Sequence, residues 1–377
     1  MGGSRTSAQS RKSAANEKLE QYKQFAELNQ DEQVRQLRKY EEKIARLQSE
    51  KQGLSKRKTQ AEFDKQDAER RFELMLATQT PDKVKSFKKV RADSGSKTRP
   101  TTPILCLNDW HAEERVTLSQ TNGQNRFDLK TCEQRVEQTG RKAVEFLELW
   151  KSNWGKPDNM VVWLGGDMIT GYIHEELAQT NFSTPEEAMY FAQRLVISLL
   201  NYLKEHAPVP HIHVVTNSGN HGRTTRKKQH KNGQIRSYDW LIYQNVAQYF
   251  ADDKFFSFNV GSSEFVYEKI QGWTFRFHHG DTFRYSGGVG GVTVTILREI
   301  GKMDQTQKAD WDIFGHFHQF IHHPRFVLCG SLMGVNEFSH GTHQTSYPPA
   351  QTLIFVDRQH GVNTALPLYC ASGSRKR

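Results

Sequence analysis

Five short motifs along this chain combine aspartate, asparagine and histidine with glycine. The central motif, N-S-G-N-H-G-R-T-T-R from Asn217 to Arg226, places an amide that can bind a metal, Asn220, beside an imidazole, His221, that cannot join the same coordination shell. Glycines flank the pair, so the backbone can turn tightly there. This mixture of oxygen and nitrogen donors predicts a metal site, and hydrolysis is the chemistry that such a site supports.

The other four motifs contain the same kinds of side chain. They are L-N-D-W-H with Asp109 and His111, W-L-G-G-D-M with Asp167, F-H-H-G-D with His278 and His279, and F-G-H-F-H with His316 and His318. One such motif would carry little information. Five in succession, with mixed ligand types, are a specific signal.

Each motif follows a short run rich in β-branched or aromatic residues, which predicts a strand. The five runs are Ile104 to Leu107, Met160 to Leu164, Ile212 to Val215, Trp273 to Phe277 and Trp311 to Phe314. Open α/β folds build their sites at the carboxyl ends of strands. We therefore expect the side chains of the five motifs to meet at one edge of the fold.

Helices are predicted between the early strands. An apolar face over Thr131 to Lys151 predicts one helix, and Tyr238 to Phe250 predicts another. The run S-T-P-E from Ser183 to Glu186 starts a third helix with a capping-box pair and a first-turn proline, and this helix extends to about Glu205. Early strand and helix alternation followed by further strands predicts a two-sheet α/β sandwich.

The motif order D-x-H, G-D, G-N-H, H-G-D, G-H-x-H resembles the calcineurin-like metallophosphoesterase superfamily. It is most similar to the bacterial and phage branch and to the related DNA-repair exonucleases. The resemblance covers roughly Ile104 to Asp357. It implies a four-layer α/β/β/α sandwich and a hydrolase that cleaves phosphate esters with two divalent metal ions.

The resemblance also implies a ligand set in which Asp167 bridges the two metals. His279 is the expected ligand instead of His278, because it directly precedes the glycine of its motif, Gly280. Manganese is the first expectation for the metals, with iron, zinc or nickel as alternatives. One metal is expected on Asp109, His111, Asp167 and His318, and the other on Asp167, Asn220, His279 and His316.

Three catalytic residues are expected, namely His221, Asp109 and Arg223. By the resemblance, His221 protonates the leaving oxygen or stabilises charge on the phosphoryl group. Many relatives have an acidic residue after this histidine, where this chain has Gly222. Either another carboxylate orients His221, with Asp109 as the candidate, or the role of His221 is weaker.

Three further side chains are candidates for substrate binding. Arg223 and Arg226 directly follow the central motif, and their guanidinium groups match the geometry of phosphate oxygens. The alternative for both is an ordinary solvated turn. His174 follows Asp167 closely enough to line the cleft, and the alternative for it is a packed or solvent-facing ring.

Charge divides the chain into two parts. Residues 1–100 contain 24 Lys and Arg against 15 Asp and Glu, whereas the remainder contains 28 against 27 and all 16 histidines. This division predicts a disordered basic N-terminus and a helical basic arm, joined by a linker to the metallophosphoesterase domain and a basic tail. The predicted boundaries are 1–15, 16–92, 93–103, 104–370 and 371–377.

The arm is predicted to be helical because the sequence contains no proline from residue 16 to about residue 76. A long coiled coil, a short helical hairpin and a loose self-association all stay open, because lysines interrupt its heptad seam. The arm is either a solvated helix or a basic element that holds the enzyme on DNA or RNA. The seam begins with Leu37, Tyr40, Ile44 and Leu47.

Several classes of protein are disfavoured. Four widely spaced cysteines form neither a disulfide framework nor a zinc ribbon, so we expect reduced thiols in a cytoplasmic protein. No apolar run approaches the ~20 residues of a membrane span, and the start lacks a signal-peptide core. The glycine at position 2 fits a loose myristoylation pattern and fits a linker-like start equally well.

Three functions follow in order of preference. The first is a phosphodiesterase that uses a metal-activated hydroxide, acting as a nuclease on DNA or RNA. The second is a phosphatase or phosphodiesterase for small phosphate esters or nucleotides. The third is a non-catalytic scaffold that uses the helical arm to recruit a partner.

Overall fold

The computed structural model describes residues 16–21, 23–79, 100–173, 177–283, 291–341 and 347–371. The chain divides into two compact units, Met1–Val90 and Arg91–Arg377. Some predicted features lie outside the described residues: the N-terminus at 1–15, the end of the arm at 80–92, the linker at 93–99, His174, and the tail at 372–377. Among the helices of the described ranges, none has the length and apolarity that crossing a bilayer requires.

The first unit is helical where it is described. Helix α1 spans Gln30–Gln79. It is separated from the helical residues 16–21 and 23–26 by a break at Asn29. The Asn29 side chain accepts a hydrogen bond from the backbone N–H of Glu32, and the Glu32 carboxylate accepts one from the N–H of Asn29. This reciprocal cap starts a new helix, so the arm is helical on both sides of a break at Asn29.

The predicted seam of α1 lies on the helix surface. Leu37, Ile44, Leu47 and Leu54 remain 51%, 54%, 54% and 66% exposed. Ion pairs one turn apart, such as Arg46 with Glu50, contribute only a few tenths of a kcal/mol each, about 0.2 to 0.5. Self-association through this stripe stays a prediction.

The described residues of the second unit contain eleven strands. In chain order they are β1 Thr101–Leu107, β2 Met160–Leu164, β3 Ile212–Thr216, β4 Phe256–Val260, β5 Val266–Ile270, β6 Trp273–Phe277, β7 Trp311–Phe314, β8 Ile321–His323, β9 Phe326–Leu328, β10 Ala350–Asp357 and β11 Gly361–Tyr369. All five strands predicted to precede the motifs are present. They are β1, β2, β3, β6 and β7.

The strands form two sheets. Sheet I has the order β11-β10-β1-β2-β3-β4, with β1 to β4 parallel and the last two strands of the chain antiparallel. Sheet II has the order β5-β6-β7-β9-β8, and its three central strands are parallel. Leu107 pairs with Leu164, and Leu164 with Thr216, so the carboxyl ends of β1, β2 and β3 are flush.

The longer helices begin at capped positions. Asp128 accepts a hydrogen bond from the N–H of Thr131 at 2.7 Å, and Thr184 and Glu187 form the capping box of the helix that begins at Pro185. The predicted capping box is therefore present one residue later than Ser183. The helices of this unit are α2 Leu129–Trp154, α3 Leu177–Thr180, α4 Pro185–His206, α5 Tyr238–Tyr249, α6 Gly291–Thr306 and α7 Glu337–Gly341.

Alternate residues of the strands separate the layers. Leu105 of β1 faces the core beneath α2, α4 and α5, whereas Ile104 faces the core between the two sheets. On the far face of sheet II, Ile296 and Ile300 of α6 pack with Phe314. Helices, sheet I, sheet II and a further helix thus follow one another. The α/β sandwich predicted from the sequence is confirmed.

A buried ion-pair network ties the strands of sheet II together. Arg276 on β6 and Asp312 on β7 are both fully buried, with the Arg276 Nε 2.6 Å from the Asp312 Oδ1. A second guanidinium nitrogen of Arg276 lies 3.0 Å from the Asp304 carboxylate. Burial alone would raise the pKa of Asp312, but His278 and Arg276 lower it below the ordinary value.

Asp312→Asn should lower the free energy of unfolding by about 3 kcal/mol, because the buried Arg276 guanidinium loses its fully buried carboxylate partner and keeps only the partly exposed Asp304. Urea unfolding at neutral pH measures this. Since the pKa of Asp312 is lowered in the folded state, its contribution is present at neutral pH and is lost as pH falls below the ordinary carboxyl value. The difference in free energy of unfolding between the unaltered protein and the Asp312→Asn variant should therefore become smaller as the pH is lowered. Asp252→Asn, at an exposed position, is the control; equal midpoints for both variants would contradict the prediction.

Candidate metal centre

The five predicted motifs all lie where a parallel strand ends. Those after β1, β2 and β3 come from sheet I, and those after β6 and β7 come from sheet II. The structure brings six of the predicted ligands into two groups, within each of which the ligand atoms lie within 4.8 Å of one another. The first group is Asp109, His111 and His318, and the second is Asp167, His279 and His316.

In the first group, two ring nitrogens and a carboxylate oxygen converge. The Nε2 atoms of His111 and His318 are 3.3 Å apart, and the His318 Nε2 is 3.5 Å from the Asp109 Oδ1. That Oδ1 is buried, and it accepts no hydrogen bond in the described part of the chain. Burial raises the pKa of Asp109, but His318 and His279 together lower it to about 2. The group presents an ionised oxygen donor beside two imidazoles.

In the second group, the tautomer of the His279 ring shows which of its nitrogens is free to bind a metal ion. The His279 Nδ1 is 2.8 Å from the carbonyl oxygen of Gly165, which can only accept, so the proton of the neutral ring is on Nδ1. The lone pair of Nε2 then faces the Asp167 Oδ2 at 2.9 Å. Two buried acceptors at that distance require a cation or a proton between them. This donor set fits a divalent metal ion.

The two groups belong to one site. The backbone N–H of His316, a residue of the second group, donates to the Asp109 Oδ2 of the first at 2.9 Å. The N–H of His111 donates to the backbone oxygen of Asp167 at 3.1 Å. Asp167 also accepts from the N–H of His221 at 2.7 Å. The expected catalytic histidine is thereby hydrogen-bonded to the expected bridging residue.

Asn220, the seventh predicted ligand, is brought to the same place by glycine. A Cβ on Gly219 would lie 2.1 Å from the Asp167 Oδ1, so only glycine lets this loop approach the carboxylate. The Asn220 Oδ1 is buried and accepts no hydrogen bond within the described residues. A buried carbonyl oxygen without a donor is costly, and a metal ion would satisfy it.

Backbone conformation marks the same residues. Eight described non-glycine residues have positive φ, and five of them are predicted ligands. Such backbone costs about 1 kcal/mol or more per residue, and it concentrates at functional sites. The strain turns side chains from the strand ends toward a common centre. The five ligands are Asp109, His111, Asp167, His316 and His318, with φ of 51°, 48°, 51°, 70° and 54°.

His221 is oriented by a backbone carbonyl. Its Nδ1 is 3.0 Å from the oxygen of Thr170, and its ring meets that of His111 edge to face at 4.8 Å. The Asp109 carboxylate contacts His316 and His318, and its orientation of His221 stays a prediction. The Thr170 carbonyl supplies one orienting hydrogen bond.

Gly222 stands where many relatives have an acidic residue, and a carboxylate that the sequence did not point to lies beside it. Asp239, buried at the start of α5, accepts hydrogen bonds from the backbone N–H groups of Asp167, Met168 and Gly219 at 2.9 to 3.1 Å. A Cβ at Gly222 would lie 3.0 Å from the Asp239 carboxylate. Burial raises the pKa of Asp239 to about 7. An acid in the first helical turn gives no sequence signal for such a role.

Thr170 is the second residue that sequence reasoning missed. It is fully buried, and its Oγ1 is 3.2 Å from the Nδ1 of His111 and 3.4 Å from the Glu114 carboxylate. The Glu114 carboxylate in turn accepts from the Asn336 amide at 2.7 Å. The backbone N–H of Thr170 donates to Glu113. One threonine thus contacts the ligand His111 through its hydroxyl and His221 through its carbonyl.

Thr170→Val should weaken metal binding at the first group by about 10- to 100-fold, because the His111 ring loses the contact that holds it. Competition against a fluorescent chelator measures the affinity. Thr170→Ser keeps the hydroxyl and is the matched control, so its affinity should stay close to that of the unaltered protein. Equal affinities for the valine and serine variants would show that the hydroxyl does not orient the ligand.

The arginines of the central motif have different surroundings. Arg223 is half-buried, and its guanidinium donates to the carbonyl oxygens of Asn220 at 2.7 Å and Thr225 at 3.2 Å. Arg226 is exposed. A phosphate contact by either arginine stays a prediction. Arg223 also has the local task of fixing the backbone beside the ligand Asn220.

His278 points away from the metal ligands. Its ring is buried and stacks on Phe314 at 5.0 Å, and its Nε2 is 3.5 Å from the Asp312 carboxylate. His278 and His279 directly follow β6 and point in opposite directions, His278 toward Phe314 and His279 toward Gly165, which follows β2 of sheet I. Only His279 of this pair lies in a candidate ligand group.

No family model matches this chain, and no curated protein matches it. Among solved structures, it is similar to Vps29 of Entamoeba histolytica complexed with zinc, with 13% identity over 71% of this chain and 99% of that one, at a TM-score of 0.29. It is also similar to a predicted phosphoesterase of Streptococcus pneumoniae, with 13% identity over 71% and 98% and a TM-score of 0.25.

A third similar structure is the sulfate thiohydrolase SoxB of Thermus thermophilus, in complex with glycerol. Its identity is 8% over 71% of this chain and 57% of that one, and its TM-score is 0.28. TM-scores this low establish neither a family nor an activity for the chain.

Proposed function

We propose that this protein is a metal-dependent phosphoesterase that hydrolyses phosphodiester bonds. The observation that carries the proposal is the meeting of two ligand groups at one site, with His221 hydrogen-bonded through its backbone to Asp167. The calcineurin-like motif order in the sequence supports the same reading. Divalent metal ions bound there would lower the pKa of a water molecule and neutralise phosphoryl oxygens.

The chain supplies a complete set of donors for two ions. Asp109, His111 and His318 would hold the first ion, and His279, His316 and Asn220 the second. By the resemblance to calcineurin-like enzymes, the Asp167 carboxylate would be shared by the two ions; it lies in the second ligand group, and its backbone is hydrogen-bonded to His111 of the first. Mixed oxygen and nitrogen donors suit manganese, iron, zinc or nickel, and we propose manganese first.

His221 would act on the leaving group. Its Nδ1 proton is held by the carbonyl of Thr170, so a proton for the leaving oxygen has to come from Nε2 of a doubly protonated ring. After the transfer, the neutral ring keeps its Nδ1 hydrogen bond and hence its orientation. This arrangement suits an alkoxide leaving group, such as the sugar oxygen of a nucleic acid.

The substrate class that we propose is DNA or RNA. Two alternatives stay open: small phosphate esters or nucleotides as substrates, and a non-catalytic scaffold that recruits partners through α1. The seam of α1 is half-exposed in the single chain, which leaves it accessible to a partner.

Metal analysis and a substrate panel test the proposal together. The purified protein should contain bound divalent metal, and with manganese it should hydrolyse bis-p-nitrophenyl phosphate faster than the monoester. The same preparation should digest single- or double-stranded DNA or RNA. Preference for the monoester would favour the small-ester phosphatase, and absence of metal and of turnover with every divalent ion would favour the scaffold.

A further inference from the structure

The segment that follows the catalytic histidine carries an isolated positive charge. We call residues Gly222 to Ser237 the basic loop. It contains six Lys and Arg residues and no Asp or Glu, whereas the chain after residue 100 contains 28 basic and 27 acidic residues in all. Without the loop, that part of the chain would have a net charge of −5. The basic loop is therefore a positively charged segment in a part of the chain that is otherwise negatively charged.

Hydrogen bonds give this loop a defined shape. The Ser218 N–H and hydroxyl donate to the side chain and backbone oxygens of Gln234 at 2.8 and 3.0 Å, and the Thr224 N–H donates to the Arg236 oxygen at 3.0 Å. At its tip, Asn232 has a φ of 58° and Gly233 follows it. A ligand that binds here does not have to order a flexible segment, so less binding energy is lost.

The loop borders the second ligand group at both of its ends and in its middle. It begins directly after His221 and ends at Ser237, two residues before Asp239. Between these points, the Lys228 Nζ lies 2.7 Å from the carboxylate of Asp281, two residues after the ligand His279. The basic loop is thus held beside the position that the phosphate to be cleaved would occupy.

Most of the loop's charge is available to a ligand. Within the described residues, Lys228 is paired with Glu264 and Asp281, whereas no carboxylate in those ranges forms an ion pair with the exposed Lys227, Lys231 or Arg236. The Arg236 guanidinium donates to the neutral Gln229 side chain at 2.6 Å, which holds the arginine in place and leaves its charge uncompensated.

We infer that the basic loop binds backbone phosphates of a nucleic-acid strand that flank the phosphate at the metal centre. This inference rests on the proposed function, because it takes the site to be a phosphodiesterase. A small ester has no second phosphate to reach the loop, so the loop favours polymeric substrates over small ones. Clustered lysine and arginine next to a phosphate-handling site provide affinity without reading sequence.

The test compares two triple variants of the full-length chain that remove equal charge. The loop variant is Lys227→Gln, Lys231→Gln and Arg236→Gln. The control variant is Lys156→Gln, Lys254→Gln and Lys308→Gln, all exposed. These three lysines precede β2, β4 and β7, so they lie at the strand edge opposite the motifs.

Binding and turnover are both measured. Fluorescence anisotropy of labelled DNA and RNA oligonucleotides in EDTA gives the Kd without cleavage, over about 50 to 200 mM KCl. With metal, the ratio of kcat/KM for an oligonucleotide to kcat/KM for bis-p-nitrophenyl phosphate reports the preference for polymers. Phosphatidylserine vesicles, in a third assay, report binding to an anionic membrane.

The loop variant should bind oligonucleotides at least about tenfold more weakly at low salt, and its salt slope should fall by about 2 to 3. Its kcat/KM ratio should fall by a similar factor, and the control variant should keep both values. Equal effects in the two variants, no effect in either, or an effect limited to vesicles would overturn the inference.

Failure of the proposed function gives a different result. If the unaltered protein hydrolyses neither bis-p-nitrophenyl phosphate nor nucleic acid with any divalent metal, the phosphodiesterase assignment falls whatever the loop binds. If it hydrolyses the small diester and the two triple variants bind oligonucleotides equally, only the role of the loop is lost.

Discussion

Asp167→Asn should lower kcat/KM for bis-p-nitrophenyl phosphate by at least about 10³-fold, equivalent to roughly 4 kcal/mol of transition-state stabilisation. Asp167 is the one side chain expected in both ligand sets, and it also accepts the backbone N–H of His221 at 2.7 Å. The asparagine amide retains an oxygen for that hydrogen bond, so the loop should keep its position. It loses the negative charge that two cations would share.

The bound metal should fall together with the activity. Elemental analysis of the protein after gel filtration gives the number of ions per chain, and unfolding by urea shows whether the variant still folds. Asp252→Asn removes the same charge from an exposed position and is the matched control. Full metal content with full activity in the Asp167 variant would remove the basis of the ligand assignment.

His221→Ala should leave the metal content intact and lower activity by about 10²- to 10⁴-fold on nucleic acid, the usual range for loss of a general acid. On bis-p-nitrophenyl phosphate the loss should be smaller, because p-nitrophenolate is a weak base that departs without a proton. The reason is structural: the Nδ1 of His221 is fixed on the Thr170 carbonyl, and the ring is not among the expected ligands.

The two substrates separate the possible roles of His221. An equal loss on both would indicate stabilisation of charge on the phosphoryl group in place of proton donation. A loss of metal would indicate that the ring supports its neighbour His111, which it meets at 4.8 Å. His206→Ala, at the C-terminal end of α4, is the control for removal of an imidazole that is remote from the motifs.

Local patterns were enough to predict the strands that carry the site. Each of β1, β2, β3, β6 and β7 is a short apolar run that ends in a polar motif, and such runs are recognisable one at a time. The helices α2, α4 and α5 were likewise predictable from one apolar face and a capping signal. The parallel pairing of β1, β2 and β3 in sheet I agrees with the alternation of strands and helices along the chain.

Long-range features were not predictable from local patterns. β10 and β11 were missed, although Ala350–Asp357 is fully buried beside β1. The pairing of β10 with β1 joins residues far apart in the chain, and β11 follows β10 as its antiparallel neighbour. Asp239 and Thr170 were missed for the same reason: their importance comes from backbone N–H and ring nitrogen atoms of other segments. The break of the arm at Asn29 was overlooked because its cap lies within an otherwise helical composition.

The site has a further consequence because its donors come from both sheets. Asp109, His111, Asp167 and Asn220 belong to the ends of sheet I strands, whereas His279, His316 and His318 belong to sheet II. The distance between the two sets is therefore set by the thickness of the apolar layer between the sheets, where Ile104, Trp163 and Phe277 pack. The packing of that layer therefore determines how far apart the two sets of proposed ligands lie, and we expect a change in its volume to alter metal binding without a substitution at any proposed ligand.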